Sequence, residues 1–358
     1  MTNNRNLGSL RRNIFESIRG NRTHACAAIV IICSLIVFFQ GMHFSADLDY
    51  PYIFNAVLSS NISSIDPSKG YLVEGILEDL IGISYVAMGF KPLTTQLLWW
   101  ISGLVLLVIV VAYSINDRSI SYSDLVLIVA FSRVIDTLSV WVGKFDPFLL
   151  SFLILTANKQ RRVALVGIVL AGLSHPILAV ISTAGVVLIE VAFVGIWFPT
   201  AIVAVLSSAL VDAGLFHYFF PSLLSRPGLV WTRASEIFGN GKHWGLVTLL
   251  SSILVPFLSI QYFKPPLRFV ANTHTILLAL WIFLIVVISG VAVEDHTRVA
   301  CLLTIAPLIV LLRSQNSRND NAGVAPDFSK TFVILFLSRL VIPHIDVYGP
   351  HLFSWGPS

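Results

Sequence analysis

Long apolar runs separated by short polar turns dominate the chain. The first extends from Ala25 to Phe44 with almost no polar side chain. Ten more follow, at roughly 96–114, 122–141, 146–157, 163–181, 184–198, 200–220, 244–262, 273–293, 298–312 and 330–344. A bilayer core of about 30 Å is crossed by about 20 apolar residues in a helix. The pattern therefore predicts an all-α integral membrane protein, a bundle of about 11 transmembrane helices. The stretch from Val163 to Leu224 is nearly continuous, and is divided here at Ser182-Thr183 and at Pro199. The run at 146–157 is short for a bilayer and is expected to start below the membrane surface, on the floor of a cavity.

One stretch has a different period. In "GYLVEGILEDLIGISYVAMGF", residues 70–90, Leu72, Ile76, Leu80 and Ile83 fall on one helical stripe, with Glu74, Glu78 and Asp79 away from it. This reads as an amphipathic helix on the membrane surface with a solvated acidic face.

Composition agrees with the pattern. Charged residues make up 12% of the chain and mean hydropathy is +0.83, whereas a soluble domain is about 25% charged. Charge also assigns sides. With the N-terminus cytoplasmic, 14 of the 23 Lys and Arg residues fall on that side, among them Arg118, Lys159, Arg161, Arg162 and Arg313. This is the positive-inside bias. The expected organisation is a basic cytoplasmic tail at 1–24, one transmembrane domain at 25–344 with a long outer loop at 45–95, and an outer tail at 345–358. Residues 25–44 read as a signal anchor, since the run is too long for a cleaved signal. Cys26, Cys33 and Cys301 lie within apolar runs and read as small apolar fillers rather than a disulfide framework.

Acidic residues sort oppositely, 11 of 19 to the outer side, so chemistry is expected there. The short basic cytoplasmic turns contain no phosphate-binding Gly-rich loop, which excludes a nucleotide site of that type. The net charge of +4 follows the membrane faces and is no nucleic-acid footprint.

Five outer segments carry candidate chemistry. "SADLDYPY" holds Asp47 and Asp49 just after the first span. Pro51 disfavours a helix at Tyr50, so an extended turn presenting both carboxylates to one space is expected, suited to a general base or a metal ligand. "SRVIDTLSVWVGKFDP" places Arg133 and Asp136 i, i+3, where a helix can pair them, and then Lys144 and Asp146 at the outer turn. "GLSHPIL" puts His175 before a helix-distorting Pro176. The loop at 222–243 is basic, with Arg226 and Arg233, and suits an anionic phosphate. "VEDHTRVA" packs Glu294, Asp295, His296 and Arg298 into five residues. Glu190 and Asp212 are further acids in apolar runs, compatible with proton coupling or with structural hydrogen bonds.

Carboxylates for an acceptor hydroxyl and cations for a departing phosphate suit transfer from a phosphate-activated lipid donor. On these residues the chain resembles the GT-C superfamily of membrane glycosyltransferases, which use polyprenyl-phosphate sugars. The resemblance rests on Asp47 and Asp49 after span one, on the amphipathic stretch 70–90, on "GKFDPFLLSFLILTANKQRRVALVGIVLAGLSHP" and on "DHTR". It implies Asp49 or Asp47 as the catalytic base. It implies Arg298, His296 and Lys144, then Arg233 and His175, as donor-phosphate contacts, with Asp295, Asp146 and Arg226 in support. No cofactor follows with certainty, although a divalent metal would be compatible with the Asp/His set. The implied partners are a polyprenyl-phosphate sugar, a glycan or glycolipid acceptor and membrane lipid, without nucleic acid. The chain lacks the soluble domain that many of these enzymes carry.

Two other readings remain open. An oligosaccharide-repeat polymerase would act on undecaprenyl-pyrophosphate-linked units and lean on Arg226, Arg233 and Arg298. A transporter or lipid flippase would use Arg133, Asp136, Glu190 and Asp212. The short loops lean towards a bacterial inner membrane, with the site facing the periplasm, although Asn61-Ile62-Ser63 is a glycosylation sequon.

Overall fold

The computed structural model describes residues 22–44, 49–67, 75–140, 142–195, 198–223, 276, 280–285, 296–319, 336–341, 344–346, 349–351 and 354–357. Among the described residues the protein is predominantly helical, with four short strands that the sequence reading did not expect. In chain order the elements are α1 Arg22–Gln40, β1 Gly41–Phe44, α2 Asp49–Leu58, α3 Ile76–Ala87, α4 Pro92–Asn116, α5 Tyr122–Phe131, α6 Val134–Val140, α7 Asp146–Thr156, α8 Arg161–Ser174, α9 Pro176–Ile189, α10 Pro199–Phe219, α11 His296–Asn319, β2 His344–Asp346, β3 Gly349–His351 and β4 Ser354–Pro357. A further helical stretch covers 336–341.

Among the described residues, four helices are long and apolar enough to cross a membrane: α1, α4, α10 and Thr297–Ser314 within α11. They fall into two kinds. The stretch in α11 is 89% buried, against 22–28% for the other three. α11 is the central post of the bundle. α4 and α10 expose Val105, Val108, Val203 and Leu210, the outward apolar surface that lipid demands. The predicted spans at 96–114 and 200–220 match α4 and α10 closely. The span predicted at 244–262 lies outside the described residues.

Three predicted spans are built differently. The first ends early: α1 stops at Gln40, and Gly41 at φ 87° turns the chain into β1. The third is broken after Phe131, where Ser132 becomes extended at ψ 163° and its hydroxyl donates back to the carbonyl of Ile128 at 2.5 Å. The run after Val163 breaks at His175 rather than at Ser182-Thr183. Pro176 has no N–H to donate, and it starts α9 as a first-turn residue. Ser182 and Thr183 lie inside α9, which continues into a single π turn, Glu190–Val194.

The predicted extended turn at Asp47 and Asp49 is corrected in part. Asp49 is the first residue of α2, and Pro51 sits in its first turn, where a missing N–H breaks no intrahelical bond. The extended segment lies earlier, in β1, which pairs in parallel with β4. Asp47 lies outside the described residues.

α3 forms within the predicted stretch, whose residues 70–74 lie outside the described residues, and it buries the acids expected in water. Glu78 and Asp79 are buried, Asp79 to 2% exposure, while Leu80 on the predicted inner stripe is 58% exposed. Instead of resting on the surface, α3 packs against α2, α4 and α8.

Candidate functional site

One end of the bundle carries β1, β4, α2, the N-terminus of α3, the 142–146 turn and the first turn of α11. Its centre is an ion pair between two helix starts. Asp146 opens α7, where a carboxylate suits the helix dipole. Arg298 lies in the first turn of α11. Its Nε donates to both Asp146 oxygens, at 2.7 and 2.8 Å, and its Nη2 lies 2.7 Å from Oδ1. The Asp146 side chain is almost fully buried and that of Arg298 is 18% exposed, so the pair is held at the edge of the buried interior. Lys144, half-buried, is two residues from Asp146.

Aromatic packing links this pair to α2. Trp99 of α4 donates its Nε1 proton to the carbonyl of Gly143 at 2.5 Å. Its ring meets Phe145 edge-on at 6.3 Å and Phe54 of α2 at 5.8 Å. Gly82 of α3 lets Phe54 in, since a Cβ there would sit 2.2 Å from the ring. Asp49 is five residues before Phe54, about one and a half turns. This ring packing joins the middle of α2 to the turn that carries Asp146.

A second polar group surrounds the start of α3. Gly75 has φ 152° and lies so close to α8 that a Cβ would be 2.2 Å from the carbonyl oxygen of Ser174. Asp212 of α10 accepts the otherwise orphaned N–H of Ile76 at 2.8 Å. Glu78 and Asp79 follow within the first turn. His175, next to Ser174, is buried as well. Sequence reasoning missed Glu78 and Asp79 by assigning them to water. Two adjacent acids in the first turn of a helix were the available signal.

A third polar group is fully buried. Arg133 donates to Asp136 Oδ2 at 2.6 Å, the predicted i, i+3 pair. Arg339 joins it, donating from Nη2 to Asp136 Oδ1 at 2.7 Å and to the carbonyl of Ser132 at 3.1 Å. The break between α5 and α6 frees that carbonyl, and an arginine from the far end of the chain satisfies it.

The opposite end of the bundle is basic and structural. Arg313 donates to the carbonyl of Ala157 at 2.6 Å and pairs with Glu190 at 3.0 Å. Asn158 donates to Asp117 at 2.8 Å.

Of the residues chosen from sequence, the structure joins Asp146 to Arg298, with Lys144 two residues before Asp146. It places His175 with the α3 group instead. His296 opens α11. Asp47, Arg226, Arg233 and Asp295 lie outside the described residues. Among the described residues no group of three or more His, Cys, Asp or Glu could hold a metal ion. No protein-family model, no curated protein and no solved structure matches the chain.

Proposed function

We propose that this protein is a membrane glycosyltransferase that moves a sugar from a polyprenyl-phosphate donor to a glycan or lipid-linked acceptor. The observation that carries the reading is the Arg298–Asp146 ion pair, linked through ring contacts of Trp99 and Phe54 to the helix that begins at Asp49. Asp49 or Asp47 takes the proton of the acceptor hydroxyl as its oxygen attacks the anomeric carbon. The bond from that carbon to the phosphate oxygen breaks, the electron pair leaves with the phosphate, and the anomeric centre inverts. Arg298, held by Asp146, and Lys144 meet the negative charge on the departing polyprenyl phosphate. The apolar outer surfaces of α4 and α10 suit a membrane lipid carrying the donor. In the transporter reading the acids to test first are Glu190, which pairs with Arg313, and Asp212, which accepts the N–H of Ile76.

The test combines Asp47→Asn with Asp49→Asn and profiles lipid-linked glycans by mass spectrometry. The expected result is an acceptor lacking one sugar, with polyprenyl-phosphate sugar accumulating and the protein still present in the membrane. A fully active double variant would end the carboxylate-base reading. Accumulation of complete single repeat units would instead indicate a polymerase.

A further inference from the structure

We infer that the basic end of the bundle, opposite the Arg298–Asp146 pair, is a docking surface for the headgroups of anionic phospholipids. The inference is independent of the glycosyl-transfer reading.

Three places along the chain bring exposed cations to this end. They are Arg22 at the start of α1, Arg118 in the turn after α4, and Lys159, Arg161 and Arg162 around the start of α8. The two turns are locked together. Asn158 donates from Nδ2 to Asp117 at 2.8 Å, and the N–H of Lys159 donates to the Ser119 hydroxyl at 3.0 Å. Arg313 ties the second turn to α11 by donating to the carbonyl of Ala157 at 2.6 Å. Arg22 lies 5.7 Å from the ring of Tyr122, which follows the first turn, and Arg161 lies 5.3 Å from the ring of Phe198.

The acids of this end are engaged within the fold. Asp117 also accepts the N–H of Ser119 at 2.9 Å, Asp124 closes the cap of α5 with Ser121, and Glu190 pairs with Arg313. The fully exposed charge here is therefore of one sign among the described residues, which attracts anions. Arg161 and Arg162 also lie in the first turn of α8, where the helix dipole disfavours cations, and Gln160 at its cap makes no side-chain hydrogen bond. An anion outside that turn offsets both.

Beyond Arg162 the same face of α8 is apolar and open. Val166 and Val169, at i+4 and i+7, are 54% and 37% exposed. A phosphate held at this rim thus has an apolar surface beside it for attached acyl chains. Free phosphate or a soluble acidic peptide would use the charges alone; an anionic phospholipid uses both features.

The test is native mass spectrometry of the full chain in detergent, titrated with phosphatidylglycerol and with phosphatidylcholine of the same acyl chains. The parent is expected to retain phosphatidylglycerol preferentially. A cation beside an anionic headgroup layer contributes about fivefold in affinity, so Arg118→Gln, Lys159→Gln and Arg162→Gln together should weaken phosphatidylglycerol binding by about 100-fold. Phosphatidylcholine binding should not change. All three side chains are exposed, and the melting temperature in lipid-free detergent checks the fold of the variant. Should the triple variant fail to fold, Arg162→Gln alone decides, with an expected loss of about fivefold. Lys91→Gln, which removes an exposed cation at the far end of α4, should bind as the parent does. Equal retention of the two lipids by the parent, parental phosphatidylglycerol binding in the folded variant, or a comparable loss in Lys91→Gln overturns the inference. Displacement of phosphatidylglycerol by inorganic phosphate or by a soluble acidic peptide at equal concentration overturns it as well, in favour of a free anion or a protein partner.

Discussion

Asp136→Asn would remove the carboxylate that holds two fully buried arginines. Arg133 and Arg339 donate to its two oxygens at 2.6 and 2.7 Å, and neither side chain has any exposed surface. Hydrogen bonds to charged groups contribute about 1.5–3 kcal/mol each, which gives about 3–6 kcal/mol for the two. Breaking a buried ion pair by removing one partner costs about 3–5 kcal/mol. The two estimates overlap, and either is a large share of the roughly 5–15 kcal/mol that holds a native protein folded. The melting temperature in detergent, followed by fluorescence-detected size exclusion, should fall by about 10 °C. Replacing the whole group with apolar side chains, Arg133→Met, Asp136→Leu and Arg339→Met together, should recover most of the loss, because no buried charge is then left alone. An Asp136→Asn protein melting within about 2 °C of the parent would refute the reasoning. The same comparison separates structure from relay: a proton-relay acid would lose activity in the stable apolar triple variant, whereas a structural one would not.

Two further substitutions address the acids that could have served a transporter. Asp212→Ala should destabilise the start of α3 by about 1–2 kcal/mol through loss of the Ile76 N–H acceptor, seen as faster hydrogen exchange over 76–87; Asp212→Asn, which keeps an acceptor oxygen, should be milder, and equal exchange in both would sink the capping role. Glu190→Gln removes a partly exposed pair with Arg313 and should cost about 1 kcal/mol in detergent stability while leaving sugar transfer intact; loss of transfer at normal stability would put Glu190 in the mechanism.

Local chemistry was readable in the sequence, and partners distant along the chain were not. Arg133 and Asp136 announce each other at i, i+3, but Arg339 is 203 residues from Asp136. Arg298 is 152 residues from Asp146, and each was chosen separately for its charge. The four helices long and apolar enough to cross a membrane, among the described residues, lie in predicted apolar runs. Break positions were not legible, because the reading placed one at Ser182-Thr183, whose hydroxyls a helix tolerates, rather than at Pro176, which removes a backbone donor. α3 shows a different failure. The amphipathic pattern was visible, but its direction was read as if water lay outside. Beside lipid the polarity can invert, with Glu78 and Asp79 turned into the bundle and Leu80 turned out.

The same inversion explains why a proposed site residue lies on the most buried of the four candidate spans. Between Val299 and Leu312, α11 is apolar except for Thr304, and Arg298 and Arg313 flank that stretch. Fifteen residues separate them, about 22 Å along the axis. Each is paired with an acid of a neighbour, Asp146 at the start of α7 and Glu190 after α9. An apolar helix packed among apolar helices has little in its side-chain chemistry to set its height, since sliding by a turn exchanges one set of apolar contacts for another. Two ion pairs about 22 Å apart resist that exchange, because a one-turn slip of about 5.4 Å would break both at once. Arg298 is thus held in place by the packing and by its far-end counterpart as well as by Asp146. A cation fixed in this way undergoes little reorganisation when charge develops beside it, which is the property that stabilising a departing phosphate requires.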